Sequence, residues 1–218
     1  LEGLQVKPFF RYSFFKGDFD DGSFVDAANK YKATLLSTGA IANYKFSKGS
    51  VTAQFAYDEM SREYVTSFGN TPFEGRNKLA ELYGQVQVTE HIQVLAGIDY
   101  RKQKMLDPDT SVTITSPYVS FFLKNLHGFN LEAGARYNDH SQYGNNSTYS
   151  INPSYLVNKN LKIFANIASA FKVPSLNALY GPFGANPDLE PEKSRTWEAG
   201  AQISLFQDIL QARAVYFQ

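Results

Sequence analysis

The chain has 218 residues, enough for one sizeable domain, with 21 basic and 21 acidic side chains and no cysteine. Balanced charge leaves no net field to attract nucleic acid, and the missing thiols exclude disulfides, thiolate metal sites and cysteine nucleophiles. No run approaches the roughly 18 apolar residues of a transmembrane helix, while a mildly hydrophilic mean hydropathy is compatible with a barrel whose lipid-facing and water-facing residues alternate.

Leu1-Glu2-Gly3-Leu4 has no basic stretch leading into an apolar run, so an intact secretory precursor is not expected. A first strand leads to a long polar break near 16–30. Within it, Asp18-Phe19-Asp20-Asp21-Gly22 resembles part of a calcium loop but lacks its register and its later glutamate, so an acidic turn is the expected reading. After a short break at Ser47-Lys48-Gly49, Val51, Ala53, Phe55 and Tyr57 alternate with Thr52, Gln54 and Ala56. A long break near 67–76 precedes Leu82, Gly84, Val86 and Val88, which alternate with Tyr83, Gln85 and Gln87. Thr89-Glu90 is short, and Ile92, Val94, Ala96, Ile98 and Tyr100 then repeat the pattern. A break near 105–111 and the short Asn125-Leu126-His127-Gly128 bracket the next strand. Phe129, Leu131, Ala133, Ala135 and Tyr137 follow, opposite Asn130, Glu132, Gly134, Arg136 and Asn138. The remaining breaks fall near 139–147, at Asn158-Lys159-Asn160, near 172–193 and at Gln207-Asp208. Between the last two, Trp197, Ala199, Ala201, Ile203 and Leu205 alternate with polar or small residues.

Short turn, long loop, short turn, long loop is the rhythm of an outer-membrane barrel, with trimmed periplasmic turns and elaborated outer loops. The spacing predicts roughly eleven strands of about 10–16 residues, long against the usual 5–6 of soluble sheets. Aromatic residues near strand ends (Tyr12, Phe14, Tyr44, Phe46, Tyr64, Tyr100, Phe121, Phe129 and Phe171) suit interfacial girdles. The same residues would also pack a soluble β-sandwich. An odd strand count and a last segment, Tyr216-Phe217-Gln218, that reads as mid-strand predict a piece of a larger barrel. His91, His127 and His140 share no metal spacing and are expected as solvated turn residues. No nucleophile elbow, phosphate loop or paired carboxylates are found, so an enzyme is not expected.

The most specific stretch runs from Ala170-Phe171-Lys172-Val173-Pro174-Ser175-Leu176 through Asn177-Ala178-Leu179-Tyr180-Gly181 to Asn186-Pro187-Asp188-Leu189-Glu190-Pro191-Glu192-Lys193-Ser194 and Trp197-Glu198-Ala199-Gly200. Pro174, Pro187 and Pro191 remove backbone donors, so its middle must be loop. The stretch resembles the strand–loop–strand signature of TonB-dependent outer-membrane receptors. Ser141-Gln142-Tyr143-Gly144 and Leu179–Pro187 are most similar to the cobalamin transporters of that family, with one inserted residue, Ala185. The resemblance is loose over most of the chain and close over 129–206.

The resemblance implies an all-β fold, a transmembrane antiparallel up-and-down β-barrel. Residues 1–218 would be a partial barrel domain, about eleven strands of the roughly 22 in plugged outer-membrane transporters. It implies no bound cofactor and an outer-membrane location in a bacterium. Uptake would be of a scarce nutrient, cobalamin first and a ferric siderophore or haem second, with a passive barrel or adhesin as the alternative from another class. It implies three partners: the TonB complex, acting through an N-terminal part not contained in this sequence, the small-molecule ligand and outer-membrane lipid. A surface lipoprotein is an optional fourth. Tyr143, Tyr180, Phe183 and Asn186 are the expected ligand contacts in the outer loops. Glu132, Arg136, Asn166 and Glu198 are expected to face the lumen and its plug.

Overall fold

A computed structural model describes residues 3–22, 25–207 and 209–218. Eleven strands follow one another: β1 (Leu4–Asp21), β2 (Val25–Phe46), β3 (Gly49–Thr66), β4 (Gly69–Gln87), β5 (Ile92–Met105), β6 (Thr110–Leu126), β7 (Phe129–His140), β8 (Gly144–Leu156), β9 (Leu161–Lys172), β10 (Glu192–Leu205) and β11 (Leu210–Phe217). A single helical turn, α1 (Leu176–Tyr180), interrupts the connection between β9 and β10. Each strand pairs antiparallel with its sequence neighbours in one open sheet, so the chain is a pure meander.

The register assigns each side chain to a face. Phe55 stands opposite Ala40 and Ala80, Leu82 opposite Ile98, Val119 opposite Ala96 and Ala135, and Ile151 opposite Ile167. With Val6, Phe10 and Tyr12 they form a continuous apolar face against which none of the described residues packs. The other face is the more polar and the more enclosed of the two. Asn29, Thr52, Asp99, Val112, Ser116 and His140 are buried, and the pairing places all six on that face. The inner face is therefore concave, and the apolar face is convex.

The apolar belt is short compared with the strands. On β5 it runs from Ile92 to Tyr100 and gives way to Lys102 and Lys104. On β3 it ends at Tyr57, above which Glu59 and Glu63 face outward. Nine residues fit a tilted membrane-crossing strand of about 9–11. β2, with 22 residues, runs well past that.

Here the structure corrects the loop assignments. Residues 16–30 and 67–76, expected as long loops, are mostly strand: β1 and β2 pair as far as Asp21 and Val25, and β3 turns into β4 across Ser67 and Phe68 alone. Pro72 and Gly75 had marked 67–76 as loop. Pro72 lies beyond Gly75, where β4 pairs with β3 and β5 has not yet joined, so one side of it has no ladder to break. The break near 139–147 narrows to residues 141–143, and only 173–191 is a long connection. Tyr64 is no girdle residue either, because its parity turns it to the concave face. Of the Gln207-Asp208 turn, Asp208 lies outside the described residues, as do Leu1 and Glu2.

Candidate functional site

At the end of the sheet that carries residues 173–191, the concave face encloses a cavity of about 1070 Å³ between β3, β4, β5 and that connection. Period-2 strands project alternate side chains into it. Phe19, Tyr64 and Phe73 form an edge-to-face row, with centroids 5.9 and 5.7 Å apart, and Phe183 extends it at 6.3 Å from Phe73. Arg62, opposite Phe73 in the register, lies 5.9 Å from the Tyr64 ring centroid, and its Nη1 donates to the Tyr64 hydroxyl at 3.2 Å. Asn77 and Gln103 add neutral polar groups. The acidic run 18–21 lies at the end of β1, where the register with β2 shifts between Phe19 and Asp21, and Asp21 accepts a hydrogen bond from Asn29 at 2.7 Å.

The 173–191 connection folds inward because its backbone is satisfied locally. Ser175 caps α1 by accepting from the Ala178 amide at 3.1 Å, and the Asn186 amide donates to the Ala178 carbonyl at 2.9 Å. Leu179 is 1% exposed and anchors the turn. The β7–β8 turn clasps this loop from the side: the Tyr143 hydroxyl donates to the Leu189 carbonyl at 2.9 Å, and Gln142 Nε2 donates to the Tyr180 hydroxyl at 3.2 Å. Burial first, then Tyr180 and Glu190, holds the Tyr143 phenol above its ordinary range.

His140 is the base of that clasp and corrects the sequence reading of a solvated turn residue. It is 2% exposed, and its Nδ1 accepts from the Gln142 and Tyr143 amides at 3.1 and 3.3 Å. Its ring stacks on Tyr143 with centroids 5.1 Å apart, and burial pushes its pKa down.

The four residues expected to touch ligand thus divide. Phe183 reaches the cavity and is 73% exposed; Tyr143 and Tyr180 join the two loops; Asn186 folds its own loop, accepting from the Asp188 amide at 3.0 Å. Arg62 and Phe73 went unnoticed in the sequence, and Tyr64 was read as a girdle residue, because 67–76 read as loop, which hid the register joining them.

Farther down the concave wall lies a connected polar network. Gln54 donates to Glu81 at 2.5 Å, Tyr118 donates to the other Glu81 oxygen at 2.6 Å, and the Arg136 guanidinium lies 4.8 Å from the Tyr118 centroid. Arg136 pairs with Asp99 Oδ2, and Arg101 Nε lies 3.5 Å from Asp99 Oδ1. The structure places Glu132, Arg136, Asn166 and Glu198 all on this face. Asn166 stands opposite Glu198, and its Oδ1 is buried with no hydrogen-bond partner among the described residues. Trp197, next to Glu198, points outward and stacks on Tyr216 at 5.2 Å.

A meander with an apolar convex belt, a polar concave face and strands long enough to cross a bilayer defines a wall of an outer-membrane β-barrel. The family model "TonB dependent receptor-like, beta-barrel" matches residues 3–218, so the chain belongs to that family, whose members are receptors and transporters of the outer membrane rather than enzymes. A mutant of the ferric enterobactin receptor of Pseudomonas aeruginosa superposes with a TM-score of 0.81 at 18% identity, over 100% of this chain and 40% of that one. The siderophore receptor PirA of Pseudomonas aeruginosa gives 0.72 at 21% identity, over 87% and 39%. The ferric-catecholate import receptor Fiu of E. coli gives 0.72 at 11%, over 99% and 48%. The chain thus spans less than half the length of these solved receptors.

Proposed function

We propose that the whole protein binds a ferric siderophore at its outer surface and carries it across the outer membrane, energised through TonB. The observation that supports this is the aromatic row Phe19–Tyr64–Phe73–Phe183 with Arg62 beside it, lining a cavity at the upper end of typical ligand-site volumes. An iron(III) catecholate presents flat aromatic rings and several negative charges, and these match ring edges and a guanidinium. The rest of the protein supplies the remaining strands, a lumenal plug and the TonB-contacting segment. Glu132, Asn166 and Glu198 face that plug, whose donors satisfy the unpartnered Asn166 oxygen. Arg136 serves it indirectly, by holding Asp99 in the wall. Tyr143, Tyr180 and Asn186 support Phe183 by fixing its loop.

Cobalamin is the second reading, favoured by Ser141-Gln142-Tyr143-Gly144 and by the Leu179–Pro187 segment. The full-length receptor in detergent, titrated with ferric tris-catecholate, ferric hydroxamate and cyanocobalamin, separates the two. The siderophore reading expects saturable catecholate binding, weakened about 10-fold by Phe183→Ala, equivalent to about 1.4 kcal/mol, near the top of what an aromatic contact is worth. Saturable binding of the corrinoid alone would transfer the assignment to cobalamin.

A further inference from the structure

On the convex face, immediately above the apolar belt, β4 and β5 carry four cations in a two-by-two block. Lys78 stands opposite Lys102, and Arg76 opposite Lys104. The next row down is Ala80 opposite Tyr100, and below it Leu82 opposite Ile98. The block therefore sits where the belt ends and the headgroup layer begins.

The carboxylates nearby serve the upper pair. Glu59 Oε2 lies 3.1 Å from Arg76 Nε, and Asp109 Oδ1 lies 2.8 Å from Lys104 Nζ, while Glu74 faces outward one row higher. Neither Lys78 nor Lys102 takes part in any ion pair among the described residues. Directly opposite positions on one face of a sheet bring Cβ atoms to about 4.5–5.5 Å, and like charges there destabilise the pair. Thr113, opposite Lys102, adds a hydroxyl to the row, while Tyr57, opposite Lys78, donates its own hydroxyl to Glu59. Two ammonium groups side by side at one level of the convex wall, with the Thr113 hydroxyl beside Lys102, suit a phosphate.

We infer that Lys78 and Lys102 bind a phosphate group on the headgroup of an outer-leaflet lipid, whose chains lie along the belt beneath. A dissolved anion has no reason to prefer this position, whereas a lipid phosphate is held there by its own acyl chains, and each basic residue at such a surface adds to its retention. The inference rests on the convex face meeting lipid and is independent of which nutrient is carried.

The test uses delipidated full-length receptor in detergent, with native mass spectrometry reading the bound lipid. The probes are diphosphorylated lipid A, its dephosphorylated form and inorganic phosphate. The phosphorylated lipid is expected to bind the wild type, and Lys78→Gln/Lys102→Gln to lower its affinity roughly 10- to 30-fold. A control, Lys30→Gln/Lys32→Gln, removes the same charge higher on the convex face and should leave affinity unchanged. Equal retention of the dephosphorylated lipid, an equal loss in both double variants, or displacement by millimolar inorganic phosphate would each overturn the assignment. Heat-dependent gel mobility matching the wild type shows that a variant barrel is folded.

Discussion

Replacing Arg136 by methionine keeps a long unbranched side chain but removes the cation from the wall network. Asp99, 1% exposed, then loses the guanidinium at Oδ2 and retains only Arg101, 3.5 Å from Oδ1. Removing one partner of a buried pair costs about 3–5 kcal/mol because the other charge is left uncompensated. Here the loss should be nearer 2–3 kcal/mol, since the Arg136 side chain is one-third exposed and Arg101 remains. The contact of Arg136 with Tyr118, at 4.8 Å, is lost as well and is worth about 0.5–1 kcal/mol. Adding Asp99→Asn removes the stranded charge, so the double variant should recover much of the loss. The assay is urea unfolding of the full-length receptor in detergent, followed by heat-dependent gel mobility and arranged as a double-mutant cycle. If Arg136→Met costs under about 0.5 kcal/mol, or the double variant is no better than the single, the pair does not stabilise the wall and the reasoning fails.

Two further outcomes follow from the geometry. Because burial lowers the His140 pKa, the neutral ring is the form the fold holds; its contribution is complete above the ordinary value near 6.5 and is lost as pH falls through the lowered folded value. Hydrogen exchange over residues 176–190, corrected for intrinsic rate, should therefore accelerate on acidification, and His140→Asn, which accepts the same amides without titrating, should flatten the profile. A pH-independent rate in the wild type would dissociate His140 from the loop. Gly97→Val should destabilise the barrel by about 1–3 kcal/mol in urea, since a Cβ there meets Tyr83 Cβ at 2.6 Å and the Tyr118 ring at 2.7 Å. Gly84→Ala, whose Cβ has nothing nearer than 3.7 Å, should be close to neutral, and equal losses at the two sites would refute the steric account.

The alternation of apolar and polar residues revealed the strands, their number and the face of most side chains, because a strand has no freedom about parity once one face is fixed. Trp197 outward and Glu198 inward follow from the sequence alone by this rule. Loop lengths were less legible. Pro72, Gly75 and the acidic run 18–21 carry turn chemistry, yet strands that project past the membrane need no apolar face, so local composition loses its contrast there. The vestibule was hidden for the same reason: Arg62 and Phe73 are eleven residues apart in sequence and face each other only through the β3–β4 register. His140 looked like any turn histidine, but its parity turns it to the concave face, where two amides of its own turn and the Tyr143 ring surround it.

A vestibule walled by strands places selectivity differently from one walled by loops. β3 and β4 pair without interruption from Gly49 opposite Val86 to Thr66 opposite Gly69, so Arg62, Tyr64 and Phe73 sit on a continuous hydrogen-bonded ladder. A side chain on such a ladder can move only by changing rotamer, and it holds its partners' spacing without an ordering cost when a ligand arrives. Phe183 is carried instead by a connection tied to the β7–β8 turn through one hydroxyl and one amide. Exposed hydrogen bonds of that kind are worth about 0.5–1.5 kcal/mol each, so the loop can yield to a ligand at modest cost. Substitutions on the ladder should therefore change which chelate binds, and substitutions in the clasp should change how long it stays, since loosening a loop over an occupied cavity acts first on dissociation.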